Sequence, residues 1–248
     1  MTFEMAETIA IIALGFALGG VLKGATGVGA PILAVPLLSI YFDVRFAIVI
    51  FSIQNLLPNL WQVWSYRKTI LPRRFVIAFA GTALFGTAAG TWVLANAPVN
   101  WLPLGLAAVV FLYIAFRLAR PHWKLSYEAG LRLAWPIGFI SGAMQAAAGL
   151  SAPVSITFLS AMKLDRVTFM PTVSALFVAM GIVQIPLLIW YGFLTAERAA
   201  LSAAALIPLM AAMPIGAWLG ARLPREVFDR VILVVLFVLA IRLVIGAL

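Results

Sequence analysis

Hydrophobic residues gather in the runs 9–40, 46–66, 75–95, 101–116, 133–162, 167–191, 199–221 and 231–248, with short polar breaks between them. A helix needs about 20 residues to cross the hydrocarbon core of a bilayer. Most of the runs fit one crossing, although 101–116 must borrow its flanks. The runs 9–40 and 133–162 are too long for a single upright span, and their middles are rich in Gly and Pro. Each predicts either one tilted, broken helix or a re-entrant hairpin of two half-helices.

The pattern repeats. Gly15 and Gly19 match Gly138 and Gly142; after a one-residue deletion, Gly27, Ala30 and Pro31 match Gly149, Ala152 and Pro153. The series continues with Asp43 and Asp165, Ser52 and Ser174, Gln62 and Gln184, and then Gly86 and Gly90 with Gly216 and Gly220. An ordered series over most of the chain marks two homologous halves. They are read as a first transmembrane repeat over 1–118, a basic cytoplasmic linker over 119–132 and a second repeat over 133–248.

Composition sets the class. The 248 residues are 65% hydrophobic and 10% charged, with no cysteine, and the mean hydropathy is +1.11. That much apolar surface exceeds what a soluble domain buries, so the expected fold is an all-α polytopic membrane protein. Without cysteine there is no disulfide framework or thiol nucleophile. The net charge of +9 lies mainly in short loops, which is the signature of positive-inside topology rather than of nucleic-acid binding. The first residues, with Glu4 and Glu7 and no early Lys or Arg, do not resemble a cleaved signal peptide.

Loop charge also separates the two topologies. Arg67, Lys68, Arg73 and Arg74, and Arg117, Arg120, Lys124 and Arg132, mark two cytoplasmic loops. If runs one and five each cross once, Lys163, Arg166, Arg222, Arg225 and Arg230 fall outside with Arg45. Arg198 then falls inside. If each run returns to the side it entered from, all five move inside, Arg198 moves out, and only Arg45 and Arg198 lie outside. The second arrangement fits the positive-inside rule better and makes the halves inverted repeats.

Broken helices at matching places in two halves point to a transporter's substrate site. Lys23 is the sharpest residue: it sits inside an apolar run, four residues before Gly27, with no acidic residue nearby in sequence. An ammonium at bilayer depth either lines a wet cavity for an anion or snorkels to the interface. Unwound backbone at Gly24, Gly27 and Gly29, and at Gly149, would leave free N–H groups at the start of the following half-helix. Thr26 and Ser151 could add hydroxyl donors. Gln54 and Asn55 lie near the centre of run 46–66, and Asn55, Asn59 and Gln62 share one helix face. Gln145 lies one place from the position matching Lys23. The small-xxx-small pairs Gly15/Gly19, Gly86/Gly90 and Gly216/Gly220 read better as helix packing.

Asp43, Asp165, Glu197, Glu226 and Asp229 sit at run ends, Glu128 and the lone His122 in the central loop. With no carboxylate in mid-run, a proton relay on Asp or Glu is not expected. There is no metal cluster, P-loop or His-supported serine, so neither an enzyme nor a cofactor is expected. Coupling to H⁺ or Na⁺ stays open. The expected partners are a small anionic substrate and the lipid bilayer, with a homo-oligomer compatible and nucleic acid excluded. An anion channel and a non-transporting membrane scaffold are the competing readings.

In Gly15-x3-Gly19, Gly24-x2-Gly27-x-Gly29-x-Pro31 and Gly142-x6-Gly149-x3-Pro153, with Gly86-x3-Gly90 and Gly216-x3-Gly220, the chain resembles the sulfite exporter TauE/SafE family of membrane permeases. The resemblance implies export or permeation of sulfite, sulfonates or related small anions across a bacterial cytoplasmic (inner) membrane. Two positions depart from the pattern. Gly27-Val28-Gly29-Ala30 stands where the family often has three consecutive glycines, and Ser151 stands where the repeat would have a glycine.

Overall fold

The computed structural model describes residues 3–27, 29–119, 123–222 and 225–247, without the side chains of 3–5 and 225–229. Among them the fold is helical throughout, with no strand. The first half contributes α1 (Phe3–Thr26), α2 (Ala30–Tyr41), α3 (Val44–Ser65), α4 (Arg73–Val76), α5 (Thr82–Asn96) and α6 (Trp101–Ala119). The second contributes α7 (Tyr127–Ala148), α8 (Ala152–Ala161), α9 (Arg166–Trp190), α10 (Ala196–Arg222) and α11 (Arg225–Ala247). A π-turn over Ile77–Gly81 joins α4 to α5, so Arg73–Asn96 is one membrane-length helix. Among the described residues, seven helices are long and apolar enough to cross a bilayer. The chain is an all-helical, polytopic, integral membrane protein. Trp61, Trp64, Trp190 and Trp218 are exposed near helix ends, where an aromatic belt meets the headgroups.

Both over-long runs break where the glycines demand it. Gly27 and Gly29 have φ of +83° and +94°, and Gly149 has +71°, a region costly for any residue with a Cβ. Pro31 and Pro153 open the following helices, where their missing N–H costs nothing. Ser151 sits at φ −113°, so the second tip needs one left-handed residue where the first needs two. That is why serine is tolerated there.

After each break the chain folds back. A Cβ added at Gly15 would meet Leu38, and one at Gly19 would meet Ala34 and the Ala30 carbonyl, so α2 runs antiparallel along α1. The α2 end leads into α3, where Arg45 hydrogen-bonds the carbonyls of Leu94, Ala95 and Ala97 at the end of α5. At the other end of the bundle, Leu125 N–H donates to Ala161 O, so α8 returns to the level where α7 began. There Thr69 Oγ1 bonds Val167 O and Leu71 N–H bonds Thr172 Oγ1. Asp43 and Asp165, the matched pair, are the N-caps of α3 and α9, accepting from Phe46 N–H and Thr168 N–H.

Two differences from the sequence reading have local causes. Helix α7 begins inside the segment read as linker, because Ser126 caps it through Ala129 N–H and Glu128 supports its first turn. Its polar start hid it from the hydropathy pattern. The deletion between the halves falls before Lys23: Gly27 N–H bonds Lys23 O and Gly149 N–H bonds Gln145 O, so Lys23 and Gln145 hold the same position rather than neighbouring ones. Val28, Arg120 and His122 lie outside the described residues, as do the side chains of Arg225, Glu226 and Asp229.

The packing of the halves follows one rule. Helix α1 packs along α10 as α7 packs along α5; α3 crosses α9; α6 pairs with α11. The α3–α10 contact has its counterpart in α5–α9, and α2–α11 in α6–α8. Exchanging the halves maps these contacts onto themselves. The two longest seams are made by glycines placed against backbone, because bundle helices in lipid gain from close approach rather than from an apolar effect. Gly20 and Gly24 of α1 meet the Leu209 and Met213 carbonyls of α10, while Gly86 and Gly90 of α5 meet those of Phe139 and Ala143 in α7.

Candidate functional site

The two hairpin tips frame the crossing of α3 and α9. Around the second tip, Gln145 and Gly149 share a closed cleft with Ser52 and Asn55 of α3 and Gln184 of α9, walled by Val35, Ile48 and Phe51. The cleft is too tight in this conformation to hold an oxyanion. Gln145 Nε2 donates to Gly149 O at 3.0 Å, and Gln184 Nε2 reaches Ala146 O at 3.4 Å. Asn55 Nδ2 and Gln145 Oε1 are buried without a hydrogen-bond partner. Buried polar groups in folded proteins are nearly always paired, and these two orphans share one cleft, which makes it the candidate site. Thr87 Oγ1 of α5 and Ser141 Oγ of α7 are the other buried atoms without a partner among the described residues.

The exchange of halves assigns a counterpart cleft at the first tip: Lys23 for Gln145, Gly27 for Gly149, Gln62 for Gln184, Ser174 for Ser52 and Phe177 for Asn55. Gly27 lies against Met170, the counterpart of Ile48, and Ser174 Oγ donates to Gln62 Oε1 at 2.8 Å. Phe16 stacks on Phe51 at 5.6 Å, which turns that face of α1 toward α3. Lys23 follows Phe16 by two turns on the same face. Its side chain is 6% exposed, and among the described residues its ammonium has no hydrogen-bond or carboxylate partner.

The remaining sequence candidates fall in different places. Thr26 Oγ1 bonds Leu22 O in its own helix. Ser151 is buried and receives the Ser155 hydroxyl, 3.3 Å away. Gly24 is in the α1–α10 seam, where a Cβ would overlap Met213 O. Gly29, left-handed, is the N-cap of α2. Gln54 points away from the clefts: its Nε2 bonds Ser202 O, and Ser202 Oγ bonds both Ile50 O and Gln54 Oε1. This closed pair ties α3 to α10. Ser202→Ala leaves the Gln54 oxygen buried without that donor and is expected to cost about 1–3 kcal/mol, read as a lower melting temperature of the detergent-purified protein. Gln54→Leu combined with Ser202→Ala should recover part of the loss.

Arg166 was read only as a loop charge. The structure sets its guanidinium beside the first tip, 3.8 Å from where a Cβ of Gly27 would lie. Arg45 and Arg198, near the opposite end, are engaged otherwise. Arg45 serves the α5 carbonyls and lies over Phe193, and Arg198 bonds Phe193 O and lies over Phe46. The fold brings Arg166 from the second half to a tip of the first, and no local pattern encodes such a juxtaposition.

The model of the sulfite exporter TauE/SafE family matches residues 11–243, a span that holds both hairpins, the α3–α9 crossing and both glycine seams. Comparison with curated proteins and with solved structures returns no match. A match over nearly the whole chain is decisive for kinship: this protein belongs to the sulfite exporter TauE/SafE family, whose members are membrane permeases.

Proposed function

We propose that the protein is a secondary transporter of small sulfur oxyanions or organic anions, such as sulfite or a sulfonate, in a bacterial cytoplasmic membrane. The observation that carries this reading is Lys23, a lysine 6% exposed whose ammonium has no hydrogen-bond or carboxylate partner among the described residues, placed where the other half has Gln145. A charge held at that depth costs several kcal/mol unless something meets it. An anion between the tips supplies the missing partner. Asn55, Gln145 and the backbone around Gly27 and Gly149 supply directional hydrogen bonds.

The hairpins, opening at opposite ends of the bundle, support an inverted-repeat mechanism: one half moves against the other and exposes the closed site to each side in turn. The basic loops 67–74 and 163–166 support a cytoplasmic position for the α8–α9 end. On that assignment Arg166 stands at the cytoplasmic mouth. Its charge gathers anions from solution before they reach Lys23.

The test is a melting-temperature panel of sulfite, sulfonates, sulfate and small carboxylates, since a ligand bound only by the folded state stabilises it by mass action. One anion class is expected to raise the melting temperature and to be carried by the protein in liposomes. Failure of every anion to do either would return the chain to the scaffold reading. Arg166→Gln is expected to raise KM roughly three- to tenfold at low ionic strength with kcat unchanged, and the difference should shrink at about 0.5 M salt. An equal loss in kcat would instead assign Arg166 to the moving parts.

A further inference from the structure

We infer that the cleft at the second hairpin takes the substrate through a hydrogen-bond donor that the anion itself carries, so the anion moves in a singly protonated form and brings its coupled proton with it. This rests on the transporter reading above. The Gln145 amide has a fixed sense: Nε2 faces Gly149 O at 3.0 Å, and the reverse orientation would set two carbonyl oxygens against each other. Its Oε1 therefore stands as a buried acceptor with no donor. Asn55 Nδ2, lining the same cleft, is a buried donor with no acceptor.

A fully ionised oxyanion offers acceptors only. It satisfies Asn55 and leaves negative charge against Gln145 Oε1. A singly protonated oxyanion satisfies both groups of this cleft, with its O–H to Gln145 Oε1 and an oxygen to Asn55 Nδ2, while Lys23, in the counterpart cleft at the first tip, contributes its charge without lining this one. The proton is taken up with the anion on one side and released when the anion ionises on the other. Among the described residues no titratable side chain lines the cleft.

Charged groups on the elements around α7 lie elsewhere. Arg45 of α3 is bound to the α5 carbonyls, Arg166 of α9 sits at the first tip, and Arg73 and Arg74 of α4 and Arg117 of α6 belong to the helix ends at the α8–α9 side. Among the described side chains, Lys23 is the one buried titratable group left on the α1 face turned toward α3.

The test compares sulfite, which can carry a proton, with methanesulfonate, a permanent monoanion that has no O–H. Binding to the full-length protein is measured by calorimetry across the pH range that spans the ionisation of hydrogen sulfite. Sulfite affinity is expected to fall about tenfold per pH unit above that ionisation. Methanesulfonate should bind at least tenfold more weakly than hydrogen sulfite and should report only whatever pH dependence Lys23 contributes. Gln145→Met should remove the preference for sulfite; because it also takes the Nε2 bond from Gly149 O, its melting temperature without ligand is measured beside it and binding is compared where the variant is folded. Equal affinities with parallel pH profiles in the unmodified protein would overturn the inference while leaving anion transport intact. No binding of either anion would overturn this inference, and the wider anion panel would then decide the transporter reading by itself.

Discussion

Gly86→Ala should cost the protein at least about 3 kcal/mol, far more than one methyl group normally does. The added Cβ would overlap the Phe139 carbonyl oxygen and crowd Ala143 N. Both are backbone atoms of α7, so no side-chain rotation relieves the clash. The α5–α7 seam must open along its length, because Gly90, Gly138 and Gly142 hold the same two helices at the same separation. For a chain of this size that loss corresponds to a melting temperature lower by roughly 6–12 °C. Gly216→Ala should do the same at the α1–α10 seam, where the obstruction is Val21 O. Gly105→Ala is the internal control: nothing lies within 4 Å of its Cβ position, and alanine there should gain up to about 1 kcal/mol of helix propensity. A Gly86 variant that melts with the unmodified protein would mean that these seams are looser than drawn.

The seams, the breaks and the repeat were legible because each is written in single residue types at fixed spacing. Glycine takes the left-handed φ at Gly27 and Gly149 without the strain a Cβ brings, and only a very small residue permits backbone contact at Gly86 or Gly216. The pairing of Asp43 with Asp165 was legible for a similar reason, since an N-cap needs a short acceptor side chain. What stayed hidden depends on long-range placement. Gln54 and Asn55 are adjacent in sequence and looked alike, yet a turn of about 100° per residue sends one to Ser202 in α10 and the other into the cleft. Gly24 looked like part of the tip, and the register of α1 against α10 made it a seam residue. Arg166 became part of the first tip only once α9 was laid beside it. Ser52 and Gln184, noted as matched polar positions, gained a place in a cleft only when α3 and α9 crossed.

Lys23→Met is expected to change two measurements in opposite directions. Methionine keeps most of the length of the lysine stem and removes a buried charge that has no partner among the described residues. Relieving that desolvation should leave the melting temperature unchanged or raise it by a few degrees. Anion flux into liposomes should fall about a hundredfold or more, because truncating the charge that meets a buried anion typically costs 2–5 kcal/mol. Lys23→Arg, which keeps the charge in a bulkier head, should retain part of the flux. Lys23→Gln would give the first half the side chain that the second already has in Gln145, and it should lose anion affinity as the methionine variant does. The opposite signs separate the two readings of this residue. A lysine that only snorkels would lose packing on substitution and leave flux intact, so a lower melting temperature with full transport would remove Lys23 from the site. Greater stability with transport lost is the signature of a charge kept at a cost in stability for an anion to meet.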